Sequence, residues 1–395
     1  MAEQSFSVEA WINADQAHGS NHHVSLSLPE QVCYWTRATA AAGGGYLYGD
    51  ASGVRTLLPN LEALEKFDLN KGYPEAFIRK ADPDDAVPVD VILYGAMYSD
   101  LPLDRTTVVT FRNNLNKLLM TPLQRNEPWV IDAVFYNNTL FLEIVKLQGK
   151  QQPPDHDRFT YYGYKFEAIC TDADPDTVVD STGEFASMFQ VRLGQHLILM
   201  AAEMDAWEEP AEQEQENFAG YAELKTYVVP QGERGIQRLY QEKYPRWWLQ
   251  SFLAGVPTLV LGGRDRDGII RKVTRLPVTR LPAMARTQGY PFDAFQLLRF
   301  GDAALEWMRN AASATPEEQV RFTYDSQQRA ITTTVLSPDM GSNLPERVVA
   351  ALTRPMAQEE EQGSDAENQM DVSQLQLEEV AEDMDPTHNT YGSAF

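Results

Sequence analysis

The sequence has little cysteine, little positive charge and no long apolar run. Its two cysteines, Cys33 and Cys170, are too few and too far apart for a disulfide scaffold or a cysteine metal cage. They suit a reducing compartment. No apolar stretch approaches the roughly 20 residues that cross a bilayer. No basic segment followed by an apolar one opens the chain as a secretory signal would. The expectation is an intracellular protein with no membrane partner, so the Asn137-Asn138-Thr139 sequon carries no weight. Lysine and arginine number 33 against 57 aspartates and glutamates, a formal charge of −24. That speaks against broad, non-specific nucleic-acid binding. The deficit is uneven: Pro355–Phe395 hold eleven acidic residues and no Lys or Arg, which leaves 46 acidic against 33 basic residues on 1–354. Such a body can still hold a phosphate chain in a local basic groove.

The hydrophobic content of 43% suffices for a sizeable core. Residues 1–32 read as a flexible leader, with His18, His22 and His23 as surface residues rather than ligands. Residues 33–354 read as the folded domain and 355–395 as a disordered acidic tail. Val108–Arg112 is apolar-rich, and Asn116–Met120 continues it with helical spacing up to Pro122. Trp129–Tyr136 and Thr139–Val145 predict a hairpin turned by Asn137-Asn138. Tyr161–Thr171 is read as extended and Phe185–Leu193 as helical. Gly235–Gly255 is read as a helix broken at Pro245. Thr258–Leu261 is a short buried strand, Phe295–Ala311 an amphipathic helix, and Val320–Tyr324 with Ile331–Leu336 a closing hairpin. Strands and helices interleave without a regular βαβ rhythm. The expected class is α+β, a mixed sheet core with helices outside.

The chemistry gathers between Leu197 and Val229. Leu197–Ala202 and Tyr221–Val229 read as strands. Residues two apart share a strand face, so Glu203 and Asp205 point together, as do Glu223 and Lys225. Pairing of the two strands would put three carboxylates and one ammonium on one surface. Clustered carboxylates repel unless a cation sits among them, and hard oxygen donors suit Mg²⁺ or Mn²⁺. A lysine beside them suits a phosphate oxygen. The alternative is two strands with solvated polar faces.

Several separated stretches resemble one family, the decapping exoribonucleases (the DXO family, which includes the yeast partner of the nuclear 5′→3′ exoribonuclease). The motifs are Gly163-Tyr-Lys-Phe-Glu167, Glu203-Met-Asp205, Glu223-Leu-Lys225, Thr110-Phe-Arg112-Asn113 and Trp247-Trp-Leu-Gln250 through Pro257. Gly49–Arg55, Gly72-Tyr-Pro74 and Leu344–Leu352 extend the likeness over roughly residues 33–354, making that span the decapping nuclease domain. The resemblance implies two packed sheets related to the PD-(D/E)xK nucleases, and hydrolysis of incomplete or unusual RNA 5′ ends: unmethylated caps, triphosphates and NAD caps. It further implies 5′→3′ degradation, two divalent cations, and residence in the nucleus with the cytoplasm as second compartment. Glu167, Glu203, Asp205, Glu223 and the Leu224 carbonyl would be the metal ligands. Lys225 and Gln250 would hold the scissile phosphate, and Glu203 would also border the substrate. Phe111, Arg112 and Asn113 would meet the RNA, with Arg112 on a 5′-terminal phosphate or nearby backbone. Two alternatives stand beside this: a 5′-end pyrophosphohydrolase with little exonuclease activity, and a protein that chiefly stabilises a partner 5′→3′ exoribonuclease.

Phe111-Arg112-Asn113 departs from the family's Trp-Arg-Gly, and Gly262-Gly263-Arg264 from its Gly-Phe-Arg. A family arginine and glutamate nearer the N-terminus find only Arg37 and Asp85 close by. Lys165 is read as structural, Trp247 and Trp248 as core, and Glu143 with Lys146 as surface residues that imitate Glu-x-Lys at the wrong spacing.

Overall fold

Strand Trp129–Tyr136 runs antiparallel to Thr139–Val145, from Val130 opposite Val145 to Tyr136 opposite Thr139. Asn137 and Asn138 turn the hairpin at φ of 46° and 64°. That left-handed pair is what a two-residue hairpin loop requires, and asparagine tolerates it. The computed structural model describes residues 4–18, 24–80, 88–147, 155–172, 174–208, 220–337, 341 and 343–353. His22, His23, Asp85 and the tail 355–395 lie outside them.

In chain order the strands are β1 (Ser5–Ser7), β2 (Glu30–Arg37), β3 (Tyr46–Tyr48), β4 (Phe77–Ile78), β5 (Val108–Phe111), β6 (Trp129–Tyr136), β7 (Thr139–Val145), β8 (Val179–Asp180), β9 (Glu184–Leu193), β10 (His196–Glu203), β11 (Ala206–Glu208), β12 (Gly220–Val228), β13 (Thr258–Arg264), β14 (Ile270–Pro277), β15 (Gln319–Asp325) and β16 (Ala330–Val335). The helices are α1 (Val8–His18), α2 (Asp90–Tyr98), α3 (Arg112–Leu119), α4 (His156–Thr171), α5 (Glu233–Arg238), α6 (Tyr244–Leu253), α7 (Leu281–Thr287), α8 (Ala294–Ser313) and α9 (Leu344–Thr353). Ten strands form one mixed sheet in the order β1-β16-β15-β6-β7-β5-β10-β9-β2-β3, and four form a second in the order β11-β12-β13-β14. The α+β expectation holds.

One face of the large sheet packs with α3, α6 and α8 around Leu118, Leu249, Leu297 and Phe300. The other packs against α2 and α9 through Ile92, Leu93 and Val348. Helix α4 lays Tyr161, Tyr162 and Phe166 on the small sheet's Ala222, Leu224 and Val260. Gly262 permits this approach, since a Cβ there would lie 2.6 Å from the Phe166 ring. Trp247 and Trp248 are core, each 5% exposed, and Lys165 is structural, buried with Nζ donating to the Pro175 carbonyl at 2.8 Å.

Four local readings are corrected. Phe185–Leu193 is strand rather than helix, because β9 lies inside the large sheet and is buried on both faces. Such a strand loses the period-two alternation that would identify it. Tyr161–Thr171 is helix rather than strand; its aromatic residues cover a sheet instead of joining one. The leader is partly ordered. Strand β1 pairs with β16, Val8 is buried, and the Trp11 ring meets Phe300 edge-on at 5.1 Å. The Arg299 guanidinium grips Asp15 at 2.6 and 2.9 Å. A few large apolar side chains and one buried ion pair anchor an otherwise polar segment. Glu143 is buried, accepting from the Val89 N–H at 2.7 Å and from Arg347 at 2.6 Å, whereas Lys146 is exposed.

The helical run around Pro245 is unbroken: a single π-type turn, Leu239–Lys243, joins α5 to α6. The π turn accommodates the proline: the Tyr244 N–H reaches back five residues to the Leu239 carbonyl, and Pro245, next in the chain, has no N–H to place in the ladder.

Candidate active site

Strands β10 and β12, whose pairing would have brought the carboxylates together, do not pair; they belong to different sheets. The carboxylates still converge, by another route. Glu203 is the last residue of β10 in the large sheet. The chain then crosses through Met204 and Asp205 into β11 of the small sheet, where Ala206 lies opposite Ala222 of β12. The crossover carries Asp205 onto β12: its Oδ2 accepts the Leu224 N–H at 2.7 Å and stands 3.2 Å from Lys225 Nζ. Glu223 and Lys225 share the β12 face turned toward the large sheet and α6. Helix α4 brings Glu167 to the same seam; Asp205, Lys225 and Glu203 are the charges that act most on it.

Glu223 is buried and held from three sides. Lys225 Nζ and Gln250 Nε2 both contact its Oε1, and Arg112 Nη1 approaches Oε2 at 3.3 Å. Arg112 is itself only 6% exposed. Its Nη2 donates to the Glu203 carbonyl at 3.0 Å and its Nη1 to the Gln250 carbonyl at 3.4 Å. One guanidinium therefore ties together the end of β10, strand β12 and helix α6. A planar fork of fixed donors suits that task better than an ammonium.

The electrostatics separate the four acids. Burial raises the Glu167 carboxyl well above its ordinary range, and Asp205 and Glu203 add to the rise. Glu203 is reached by solvent but ringed by the cleft walls; that desolvation, with Glu184 and Asp205, pushes it up to about 7. Asp205 is raised by burial and by Glu223. Burial would raise Glu223 too, but Lys225 and Arg112 overcome it and hold that carboxyl below its usual value. Lys225 is desolvated, yet Asp205 and Glu223 hold its ammonium firmly protonated. Three acids with raised affinity for a proton form an undercompensated negative cluster, and such a cluster is stabilised by any added cation.

The donor set fits a hard divalent cation: Glu167, Glu203, Asp205, Glu223 and the Leu224 carbonyl supply oxygen alone. Among the described residues no three acidic, His or Cys side chains stand at mutual metal-ligand spacing. The Glu223 and Asp205 oxygens are turned instead to Lys225, Gln250 and Arg112.

Two cavities flank the cluster, sharing Glu203 and Glu184 as their common wall. The first, about 570 Å³, is bordered by Arg37, Arg55, Tyr164, Glu167 and Asp205. The second, about 440 Å³, is bordered by Lys80, Phe111, Arg112, Asn113 and Gln250. All the sequence-derived site residues except Glu223, Leu224 and Lys225 thus line one cavity or the other, and those three stand at the seam between the sheets.

Residues 27–350 match the family described as RAI1-like PD-(D/E)XK nuclease. The chain belongs to that family. It is 30% identical to the decapping and exoribonuclease protein of Bos taurus over 285 residues, 67% of this chain and 71% of that protein. It is 27% identical to the decapping nuclease RAI1 of Neurospora crassa over 269 residues, 62% of this chain and 65% of that protein, so it spans just under two thirds of that relative. A solved structure of Candida albicans Rai1, in complex with pU5-Mn2+, aligns with a TM-score of 0.70 at 18% identity, covering 84% of this chain and 97% of that one. That likeness shows the fold, and the two sheets are those of a PD-(D/E)XK nuclease.

Set in this family's fold, the site has members that the sequence reading did not single out. Glu184 opens β9 and borders both cavities, with its Oε2 2.6 Å from Lys80 Nζ. Tyr164, inside the glycine-led motif, is desolvated and faces Glu203 and Glu167, so its hydroxyl stays protonated. Neither Glu184 nor Lys80 lies in a short motif; they meet because β4 runs beside β8 just ahead of β9, and the pairing of β9 with β10 sets Glu184 near Glu203. Arg112, Phe111 and Asn113 do border a cavity, but the Arg112 guanidinium itself is committed to Glu223 and two carbonyls.

Proposed function

We propose that this protein is a divalent-metal-dependent hydrolase of RNA 5′ ends. It removes incomplete or non-canonical caps (unmethylated cap, triphosphate, NAD cap) and degrades the RNA 5′→3′, in RNA 5′-end quality control. The observation that carries this reading is the seam between the sheets, where Asp205 and Glu223 contact the protonated Lys225 and Glu167, Glu203 and Asp205 line the adjoining cavity. The names of the relatives, decapping nucleases and exoribonucleases, support the RNA 5′ end as the substrate.

Glu167, Glu203, Asp205, Glu223 and the Leu224 carbonyl would hold two Mg²⁺ or Mn²⁺ ions. Bound there, such ions lower the pKa of a water and stabilise the leaving oxygen of the phosphate ester. The chain's own groups supply the rest. Lys225 keeps its charge and meets a phosphate oxygen as negative charge builds there. Gln250 orients Glu223 through its amide and turns toward the phosphate when the cleft is filled. Arg112 holds Glu203, Glu223 and Gln250 in one arrangement, so that the ligand set does not reorganise during reaction. Water attacks phosphorus, the bond to the leaving oxygen breaks, and that oxygen takes up the proton. We place the protein in the nucleus and cytoplasm, with a 5′→3′ exoribonuclease as candidate partner.

The test is hydrolysis of matched RNAs bearing triphosphate, unmethylated cap, NAD cap or monophosphate ends, with Mg²⁺ or Mn²⁺ and with chelator. Metal-dependent release of the modified ends supports the reading. Purified protein inert on all four in both metals would overturn it.

A further inference from the structure

The charge of this protein is unevenly spread along the folded body. From the start of α5 to the end of α7, residues 233–287 hold eleven lysines and arginines against four acidic residues, a net +7. The rest of the chain holds 22 basic and 53 acidic residues. Within the basic segment Arg238, Arg246, Arg271 and Arg275 are paired, with Glu242, Glu127, Asp265 and Glu208. Of the other seven cations, Lys243, Arg264, Arg266 and Lys272 stand at one end of the small sheet. Among the described residues none of these four has a carboxylate at ion-pair distance.

Two elements leading out of the carboxylate cluster end at this group. Strand β12 runs from Glu223 and Lys225 to Val228, which lies opposite Arg264 of β13, about 10 Å beyond Lys225. The helical run of α6 goes back from Gln250 through Trp247 to Lys243, three positions on one face, over about 10 Å. The Trp247 ring meets Tyr227 of β12 at 6.0 Å, and Lys243 Nζ lies 5.7 Å from the same indole. Gly263 lies between Tyr227 and Lys272 in the sheet. A Cβ there would stand 3.0 Å from Lys272 Cγ and 3.1 Å from the Tyr227 hydroxyl, so the missing side chain gives the Lys272 stem its room. The Arg264 guanidinium packs 5.1 Å from the Phe159 ring and 4.7 Å from that of Tyr162, and Phe159 is 42% exposed. Burial lowers the pKa of the Lys243 ammonium, and repulsion from Arg246 and Arg264 lowers it further. Cations held this close repel one another, and an added anion relieves them.

We propose that this cationic end of the small sheet is a landing surface for the body of the RNA outside the catalytic cleft, where phosphates meet Lys243, Arg266 and Lys272 and a base stacks on Phe159. It rests on the reading of the protein as an RNA 5′-end hydrolase, and it adds how the rest of the strand is held. With the 5′ end in the cleft, the strand that follows is a continuous polyanion, and the acidic remainder of the surface repels it. Lysine and arginine contacts to phosphate carry no sequence information, and an exposed aromatic ring stacks on any base. The surface therefore takes RNA of any sequence, and affinity through it depends on length and salt. Its position, at the ends of the two elements that carry Lys225 and Gln250, favours the strand being processed over an acidic protein partner.

The experiment uses the full chain and 5′-triphosphate oligouridylates of about 6 and about 30 nucleotides, labelled at the 3′ end, across a salt series. Binding is read by fluorescence anisotropy with chelator present, and cleavage separately by single-turnover rates in Mn²⁺. The longer RNA should bind more tightly and with a steeper dependence on salt. In the triple variant Lys243→Gln, Arg266→Gln, Lys272→Gln its salt slope should fall by about 2, at roughly 0.7 per lost phosphate contact, and its affinity by about tenfold or more. Binding and cleavage of the shorter RNA should stay as they were, which also controls for folding. Phe159→Leu should weaken binding of the longer RNA by about fivefold or more with the salt slope unchanged. An unchanged slope for the longer RNA in the triple variant would overturn the inference while leaving the hydrolase intact. So would equal losses on both RNAs, which would put these cations in the cleft. Poly-glutamate that displaces the longer RNA as well as unlabelled oligouridylate does would also overturn it, and would assign the surface to an acidic protein. If the protein cleaves neither RNA yet binds the longer one with a salt slope that the triple variant reduces, the hydrolase reading falls and the landing surface stands.

Discussion

Replacing Arg112 by leucine removes one side chain from three elements at once. The guanidinium pairs with buried Glu223 and donates to the Glu203 and Gln250 carbonyls. Breaking a buried ion pair usually costs about 3–5 kcal/mol. Here Glu223 keeps Lys225 and Gln250 as partners, so its charge is not abandoned and the cost lies at the low end of that range. The two carbonyls lose donors, and the longer of these bonds, 3.4 Å, was weak already. The total comes to about 3 kcal/mol of lost stability. A domain of ordinary stability survives that loss. In urea the unfolding midpoint should drop with an unchanged slope, since the surface exposed on unfolding is the same. The saturated cleavage rate should also fall, by about tenfold or more, because Glu223 and Gln250 are no longer held in one arrangement. Arg112→Lys should recover only part of both effects, since an ammonium cannot span three acceptors on different elements. An unchanged urea midpoint and saturated rate, with only RNA affinity reduced, would refute this and return Arg112 to a contact with the RNA backbone.

Glu223→Gln keeps the shape of the buried side chain and removes a ligand charge; hydrolysis of 5′-modified RNA should fall by about two orders of magnitude or more while the circular dichroism spectrum stays native. Asn137 has φ of 46° in the β6–β7 turn, and Asn137→Val should cost about 1–2 kcal/mol in chemical denaturation, where an unchanged midpoint would mean the turn carries no such strain. Buried His196 has its Nε2 3.2 Å from the Asp302 carbonyl, and burial lowers its pKa below the usual 6.5 against the pull of Asp302. The unfolded state therefore takes up a proton first as pH falls. The stability this histidine contributes is complete above about pH 6.5 and is lost as pH falls below it through the lowered folded-state pKa; His196→Gln should remove that component of the pH slope below about pH 6.5, measured by urea midpoints.

The local elements whose cause is local were legible. Asn137-Asn138 with flanking β-branched residues specifies a hairpin by itself, and so does the apolar spacing of Phe295–Ala311 for α8. Glu203-Met-Asp205 and Glu223-Leu-Lys225 pointed to a carboxylate cluster through strand periodicity alone, and the family motifs added Glu167 and Gln250. The buried strand β9 was misread because burial on both faces erases alternation. The aromatic face of α4 was misread because a residue's neighbours, here the small sheet, lie elsewhere in the chain.

By itself, then, the sequence determined which residue types the site would contain and the class of chemistry they serve, since spacing within one strand decides what shares a face. Only the tertiary structure decided how the two acidic motifs meet. They do so through a crossover between sheets at Asp205 rather than by pairing of their strands, because β11 pairs with β12 and draws Asp205 onto Leu224. It also decided that Glu184 and Lys80 join the site, and that Arg112 braces Glu223. These are contacts between segments up to 111 residues apart, and no local pattern encodes which distant side chain a buried charge will find.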